Sequence, residues 1–342
     1  MRRVATLTTA GFLVLALAGP ALACGGLIGP RGSVNLLRTT TLAAYHGGIE
    51  HYVTSFSFAG GGGAFGSLVP LPGVPSKVER GGEWTLQRLV RETQPPQRDA
   101  AEFAIRGVAA AVPAKVLLEA RIDALDITIL EGGGRSVGEW ARKNGFVLPP
   151  DAPEVLDFYA ERSPIFMAAR FDADAAAARG QQIGDGTPIH LSIPTGNPWV
   201  PLRILGLGKL ATEVVQADVY LLTDDRPALL SGEGVRLERG ERASDGLIAD
   251  LRADKGMEWI PATGMWLSYL KVDVPAGKLV HDLAVDASGR GAPSPRAAGL
   301  PVVRVPDPGP TRVPTQRWPV IALVGLAATA FLSVAGVRWA LR

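Results

Sequence analysis

Between Asn35 and Val285 the chain is patterned mainly with period two. Asn35 to Tyr45 is rich in Leu and Thr, His46-Gly47-Gly48-Ile49 follows, and Glu50 to Phe58 continues the alternation. Two adjacent glycines can both adopt positive φ, so two strands joined by a tight hairpin turn are predicted. Tyr52, Thr54, Phe56 and Phe58 then share one face. Phe65 to Leu71 reads as a third strand, limited by Pro70 and Pro72. Leu125, Ile127 and Ile129 alternate with Asp126 and Thr128, and Val215, Ala217, Val219 and Leu221 with Gln216, Asp218 and Tyr220. Trp266, Ser268, Leu270, Val272 and Val274 form another period-two face, and Pro188 to Ile193 and His281 to Val285 are shorter strands.

Helical spacing is rarer. Glu83 to Glu92 puts Leu86, Leu89 and Val90 on one stripe. Ser136-Val137-Gly138-Glu139 has capping-box spacing before Trp140. Asp151-Ala152-Pro153-Glu154 offers a cap with Pro in the first turn. Ser244 or Asp245 is placed to cap a helix carrying Leu247, Ile248 and Leu251. Strands interleaved with a few short helices, without regular βα alternation, predict an α+β fold with a mainly antiparallel sheet.

The two ends have a different pattern. Arg2 and Arg3 precede an uncharged apolar run from Val4 to Ala18, and Ala21-Leu22-Ala23 ends in the small residues that precede signal-peptide cleavage. Residues 1–23 are therefore expected to be an export signal cut between Ala23 and Cys24, favouring the general secretory over the twin-arginine route. An uncleaved N-terminal anchor is the alternative. Near the other end Val320 to Val337 is uncharged, and with its flanks it reaches the about 20 residues that cross a bilayer. Trp318 and Trp339 sit where amphipathic rings prefer the interface, and Arg338 and Arg342 on the short tail favour the cytoplasmic side. A transmembrane helix over 318–340 with a cytoplasmic tail, 341–342, is expected, anchoring an extracytoplasmic domain in the cell membrane by a single pass.

Composition refines what lies between. Prolines recur from Pro293 to Pro314 among Gly, Ala and Arg, and a semi-rigid stalk is assigned to 287–317, leaving 24–286 as the β-rich domain. The 35 basic and 33 acidic residues give a net charge of +2, with no basic block, so no nucleic-acid partner is implied. The single cysteine, Cys24, excludes an internal disulfide. At a mature N-terminus it is either a free thiol or a lipid attachment site.

Cys24-Gly25-Gly26, the hairpin after it and Phe65-Gly66-Ser67-Leu68-Val69-Pro70-Leu71-Pro72-Gly73-Val74-Pro75 resemble the bacterial domain of unknown function family 2330. The helix near Trp84 to Arg91 ending in Thr93-Gln94-Pro95, the stretch Tyr159 to Arg170, Pro201-Leu202-Arg203-Ile204 and Val219-Tyr220-Leu221-Leu222-Thr223-Asp224 fit the same layout. The resemblance implies an envelope location and a layout, and no chemistry. A second cysteine common shortly after the first in that family is replaced here by Gly29.

Candidate chemistry is sparse. His46 and His51 flank the hairpin turn on one face, as diagonal neighbours close enough to share a metal ion. Solvated polar positions on a hairpin face are the simpler reading. Gly61, Gly63 and Gly66 match G-x-G-x-x-G, but a strand follows where a pyrophosphate cradle needs a helix. Asp224-Asp225 could place carboxylates at a strand end, with Pro227 favouring a plain turn. His190 and His281 lie in strands, and Cys24 lacks an identifiable base. No nucleophile elbow or H-E-x-x-H motif is present, and no cofactor is implied. The expected role is an envelope protein presenting its domain for binding or structural work, by way of a protein or envelope partner. An extracytoplasmic hydrolase or metal-dependent enzyme is the first alternative, and a subunit of a membrane complex the second.

Overall fold

Gly47 and Gly48 turn the hairpin with φ of 59° and 81°. Both values are open to glycine at no steric cost, which fixes the register of the strands on either side. The computed structural model describes residues 26–29, 32–33, 39–56, 65–94, 116–179 and 187–301. Ala23, Cys24, Gly61, Gly63, Trp318, Arg338, Trp339 and Arg342 lie outside the described residues, as do the expected signal and anchor. Among the described residues, no helix is long and apolar enough to cross a membrane.

In chain order the first strands are β1 (Gly26–Gly29), β2 (Gly32–Ser33), β3 (Thr39–His46), β4 (Ile49–Phe56), β5 (Gly66–Leu71) and β6 (Lys77–Arg80), followed by α1 (Thr85–Thr93). Then come β7 (Val116–Ile122), β8 (Leu125–Glu131), α2 (Gly134–Lys143), α3 (Ala152–Ala160), β9 (Ile165–Phe171) and α4 (Ala173–Ala178). The rest are β10 (Thr187–Pro194), β11 (Trp199–Val200), β12 (Val214–Thr223), β13 (Ala228–Leu230), β14 (Val235–Arg242), α5 (Asp245–Ala253), β15 (Trp266–Pro275) and β16 (Leu283–Asp286). They form a six-stranded sheet ordered β2-β1-β5-β9-β8-β7, a seven-stranded sheet ordered β14-β15-β12-β3-β4-β10-β6 and a small sheet β11-β16-β13. The fold is α+β and antiparallel-rich, with β12 beside β3 as the parallel pair.

The two large sheets face each other. Val69, Ile127, Ile129 and Met167 of one meet Ala43, Tyr52, Leu191, Val219 and Val272 of the other, and Val200, Leu283 and Val285 of the small sheet join them. On the outer face of the six-stranded sheet, α2 and α3 bury Val137, Trp140, Leu156 and Tyr159 against Leu68, Leu130 and Phe166. On the outer face of the seven-stranded sheet, α1 and α5 bury Leu86, Leu89, Leu247, Ile248 and Leu251 against Leu42, Val53, Tyr220 and Leu222. Helices thus cover both outer faces of a sheet sandwich. This explains two departures from the sequence pattern. In β9, Ile165-Phe166-Met167-Ala168-Ala169 is buried on both faces and carries no alternation. In β12, the polar-looking face is also covered, with Asp218 buried and accepting a hydrogen bond from Tyr269 Oη at 2.7 Å.

Helix starts show where capping is local and where it is borrowed. Ser244 caps α5, its hydroxyl accepting from Leu247 N at 3.2 Å. Ser244→Ala should therefore cost about 1 kcal/mol, read as a lower denaturation midpoint at unchanged slope. The expected capping box fails, because α2 begins three residues earlier than a Ser136 cap would place it, at Gly134. Gly134 N is instead taken by Asp157 Oδ1 of α3 at 3.0 Å. Asp151 sits at the predicted N-cap of α3, yet its carboxylate accepts from Gly208 N at 2.9 and 3.1 Å. The first turn of α1 is capped from a distant loop. Asp254 Oδ2 accepts from Trp84 N at 2.9 Å, from Thr85 N at 2.8 Å and from Thr85 Oγ1 at 2.8 Å.

The domain also extends past the sequence-based boundary at Asp286. The compact unit runs to Pro301, and Ala297 and Ala298 are buried with α3. Asp282 N donates to Ala298 O at 3.0 Å, and Arg162 Nη1 donates to Ala297 O at 2.5 Å. Small residues let this segment lie flat against α3, a contact that proline content does not reveal.

Candidate functional site

The end of the β3–β4 hairpin gathers titratable side chains on both faces of the seven-stranded sheet. In β4, consecutive residues Glu50 and His51 point to opposite faces, and both are buried. Perturbed ionisable groups concentrated at one place mark a candidate site.

On the helix-covered face, His51 stands opposite Ala44 of β3 and Ser192 of β10, and His190 of β10 stands opposite Val53 of β4 and Glu79 of β6. The two imidazoles are therefore diagonal neighbours across β4 and β10. His51 Nδ1 lies 2.9 Å from His190 Nε2. Their ring planes differ by 24° with centroids 5.1 Å apart, which sets the rings nearly in line, nitrogen to nitrogen. The indole of Trp259, in the loop after α5, covers them. It stacks on His51 at 3.6 Å with an interplanar angle of 2°, and lies 5.5 Å from the ring of His190. His190 Nδ1 is 3.3 Å from a carboxylate oxygen of Glu79 but without a hydrogen bond of good geometry, and Trp259 Nε1 is likewise buried and unpartnered. Burial, with the neighbouring imidazoles of His190 and His46, pushes His51 down to about 3. Burial, with the nearby Lys77 ammonium, pushes His190 down to about 4. Both rings are neutral at pH 7, so one donates and the other accepts in the bond that joins them.

On the opposite face, Glu50 stands across from Tyr45 and lines a small cleft with Tyr45, Trp199 and Thr223. Its Oε2 accepts from Trp199 N at 3.3 Å, while Oε1 is buried without a partner. Burial pushes this carboxyl up to about 8, with the Trp199 N–H opposing weakly. It is a neutral acid at pH 7.

His46 and His51 do not form a pair. His46 pairs with Ile49 across the turn, as its register requires. Its Nδ1, however, meets Asp224 Oδ1 at 2.7 Å on the surface, whereas His51 is buried beneath Trp259 and bonded to His190. His51 is thus not a solvated hairpin position. Asp224 directly follows β12, and because that strand runs parallel to β3 with Thr223 beside Tyr45, Asp224 comes to lie beside His46. Among the described residues, no group of three or more His, Cys, Asp or Glu side chains is arranged to hold a metal ion. The partnership of His190 could not be read from sequence, since it depends on β10 adding to the far edge of the hairpin after a separation of 139 residues. Its one signal was a histidine set between two fully buried apolar residues, Ile189 and Leu191.

Residues 18–283 match the family model described as "Uncharacterized protein conserved in bacteria (DUF2330)". The chain belongs to this family. No curated protein and no solved structure matches it. The DUF2330 match takes in the hairpin, Glu50, both buried imidazoles and Trp259, and ends at the first residue of β16. The site therefore lies wholly within the DUF2330 region.

Proposed function

We propose that this DUF2330 protein is a single-pass, membrane-anchored envelope protein that presents its β-rich domain outside the cytoplasmic membrane, for binding or structural work. The supporting sequence signals are the cleavable apolar start ending at Ala23 and the uncharged Val320–Val337 run between Trp318 and Trp339. The observation that favours a scaffold over a catalyst is how three of the four buried carboxyl groups among the described residues, all but Glu50, are employed. Asp282 holds Arg162, Tyr159 and the backbone of Leu202 and Arg203; Asp254 caps α1; Asp218 anchors Tyr269. Each ties one element to another, a structural use of buried charge.

The second reading, an extracytoplasmic hydrolase, draws on the exposed His46–Asp224 contact, a base oriented by a carboxylate. A reporter active only outside the cytoplasmic membrane, fused after Gly309 and again after Arg342, should give signal at the first position and none at the second. Signal at the second position alone would reject the anchored arrangement. Loss of a measurable hydrolytic activity on His46→Ala or Asp224→Ala would favour the second reading.

A further inference from the structure

We propose that His51 and His190 bind one monovalent copper ion between His51 Nδ1 and His190 Nε2, in linear two-nitrogen coordination under the Trp259 ring. Three features of the geometry point there. The two ring nitrogens face each other at 2.9 Å with the rings nearly in line. Each lone pair can then lie along the line joining the nitrogens, as a two-coordinate ion requires. The other nitrogen of His190, Nδ1, lies 3.3 Å from Glu79. The contact is not an aligned hydrogen bond, but negative charge beside the distal nitrogen favours the proton there and leaves the near nitrogen free to bind. Finally, the indole plane of Trp259 lies parallel to His51 at 3.6 Å, placing a π face over the site.

The choice of ion follows from the donors. Imidazole suits zinc, copper, iron and nickel. Zinc sites need four ligands, or three and water. His190 is 1% exposed and His51 7%, and among the described residues no third His, Cys, Asp or Glu completes the set. A closed-shell monovalent ion that accepts two ligands in line needs neither a third side chain nor room for water. Two metal–nitrogen bonds of about 2 Å each span about 4 Å, so the rings must separate by about 1 Å. Lys77 lies close enough to disfavour positive charge on His190, and Glu258 and Glu79 oppose it. His46, the remaining titratable neighbour of His51, is bonded to Asp224.

This site does not depend on membrane topology, so its test and the reporter fusions fail independently. The test uses the full mature chain with Cys24→Ser, removing a competing thiol, and titrates it anaerobically with Cu(I) against a chromophoric Cu(I) chelator. The expected result is one equivalent withdrawn from the chelator, with quenching of indole fluorescence that is lost in Trp259→Phe while uptake remains. X-ray absorption should show two nitrogen neighbours at about 2 Å and no sulfur. His51→Gln and His190→Gln should each abolish uptake, Glu79→Gln should weaken it about tenfold, and His46→Ala should leave it unchanged. The wild-type absorption spectrum stands even if a glutamine variant fails to fold. The proposal is overturned by no uptake in the wild type, by a sulfur neighbour, by Zn(II) binding without Cu(I) binding, or by uptake that survives both glutamine variants in folded protein.

Discussion

Replacing Glu50 by glutamine should stabilise the domain by about 3 kcal/mol at pH 7 and by more at pH 9, with an effect under about 1 kcal/mol at pH 5. The reason is the buried position of the carboxyl, which raises its pKa from 4.5 to about 8. The folded state therefore holds a proton that the unfolded chain releases above pH 4.5. Stability from this group is complete below pH 4.5 and is lost as pH rises toward 8, at about 1.4 kcal/mol per unit. Glutamine keeps the shape and the acceptor for Trp199 N, and has no proton to lose. The imidazole pair acts in the opposite direction. His51 and His190 fall from 6.5 to about 3 and about 4. Their contribution is complete above pH 6.5 and is lost on acidification, because the unfolded chain binds protons that the folded rings refuse. Together these groups place maximal stability near pH 6.5. Denaturant midpoints measured from pH 5 to pH 9 should show a steep alkaline decline in the wild type and a flattened one in Glu50→Gln. An unchanged alkaline slope would mean that Glu50 is ionised in the folded protein.

Asp282→Ala should cost about 3–5 kcal/mol or more, enough to bring the domain close to unfolding at 37 °C. Asp282 is fully buried and pairs with the buried Arg162 at 2.5 Å. It also accepts from Tyr159 Oη at 2.9 Å, Leu202 N at 2.7 Å and Arg203 N at 2.9 Å. Its removal strands a guanidinium enclosed by the rings of Phe158, Tyr159 and Trp199, at 4.2, 4.9 and 4.8 Å. Two backbone donors lose their acceptor as well, each a cost of about 1–3 kcal/mol when buried. By contrast, breaking the surface pair of Arg203 with Glu154 through Glu154→Ala should cost under about 1 kcal/mol. Guanidinium denaturation followed by tryptophan fluorescence compares the two directly. Equal effects would show that the buried network carries no more than a surface ion pair.

Asp282 also shows which features could be read in advance. The hairpin, β5, β8, β12 and β15 were legible because their information is local, in adjacent glycines and period-two runs. The helices near Leu86, Trp140, Leu156 and Leu247 were legible from spacing, although only Ser244 supplies the cap its position suggests. β7, β9 and β14 were not legible. β9 is buried on both faces and lost its alternation, whereas β14 is an edge strand full of exposed charge, Val235–Arg242. At the site, sequence located His46 and His51 on one face. It could not show that β10 adjoins β4, so it missed the bond from His51 to His190, and it could not show that a loop 208 residues further on, bearing Trp259, closes over them. The burial of Glu50 was not legible either, because nothing nearby in sequence reveals that Trp199 of β11 packs over its face. Tertiary partners, and not residue types, decide which polar side chains of β4 are buried.

Limited proteolysis of spheroplasts tests most directly whether this domain is displayed outside the cytoplasmic membrane. The expected result is that added protease removes the domain from the membrane fraction while a cytoplasmic marker survives. The largest fragment released should begin at Cys24 and end beyond Pro301. Protection of the whole chain until the spheroplasts are lysed would contradict the proposed arrangement.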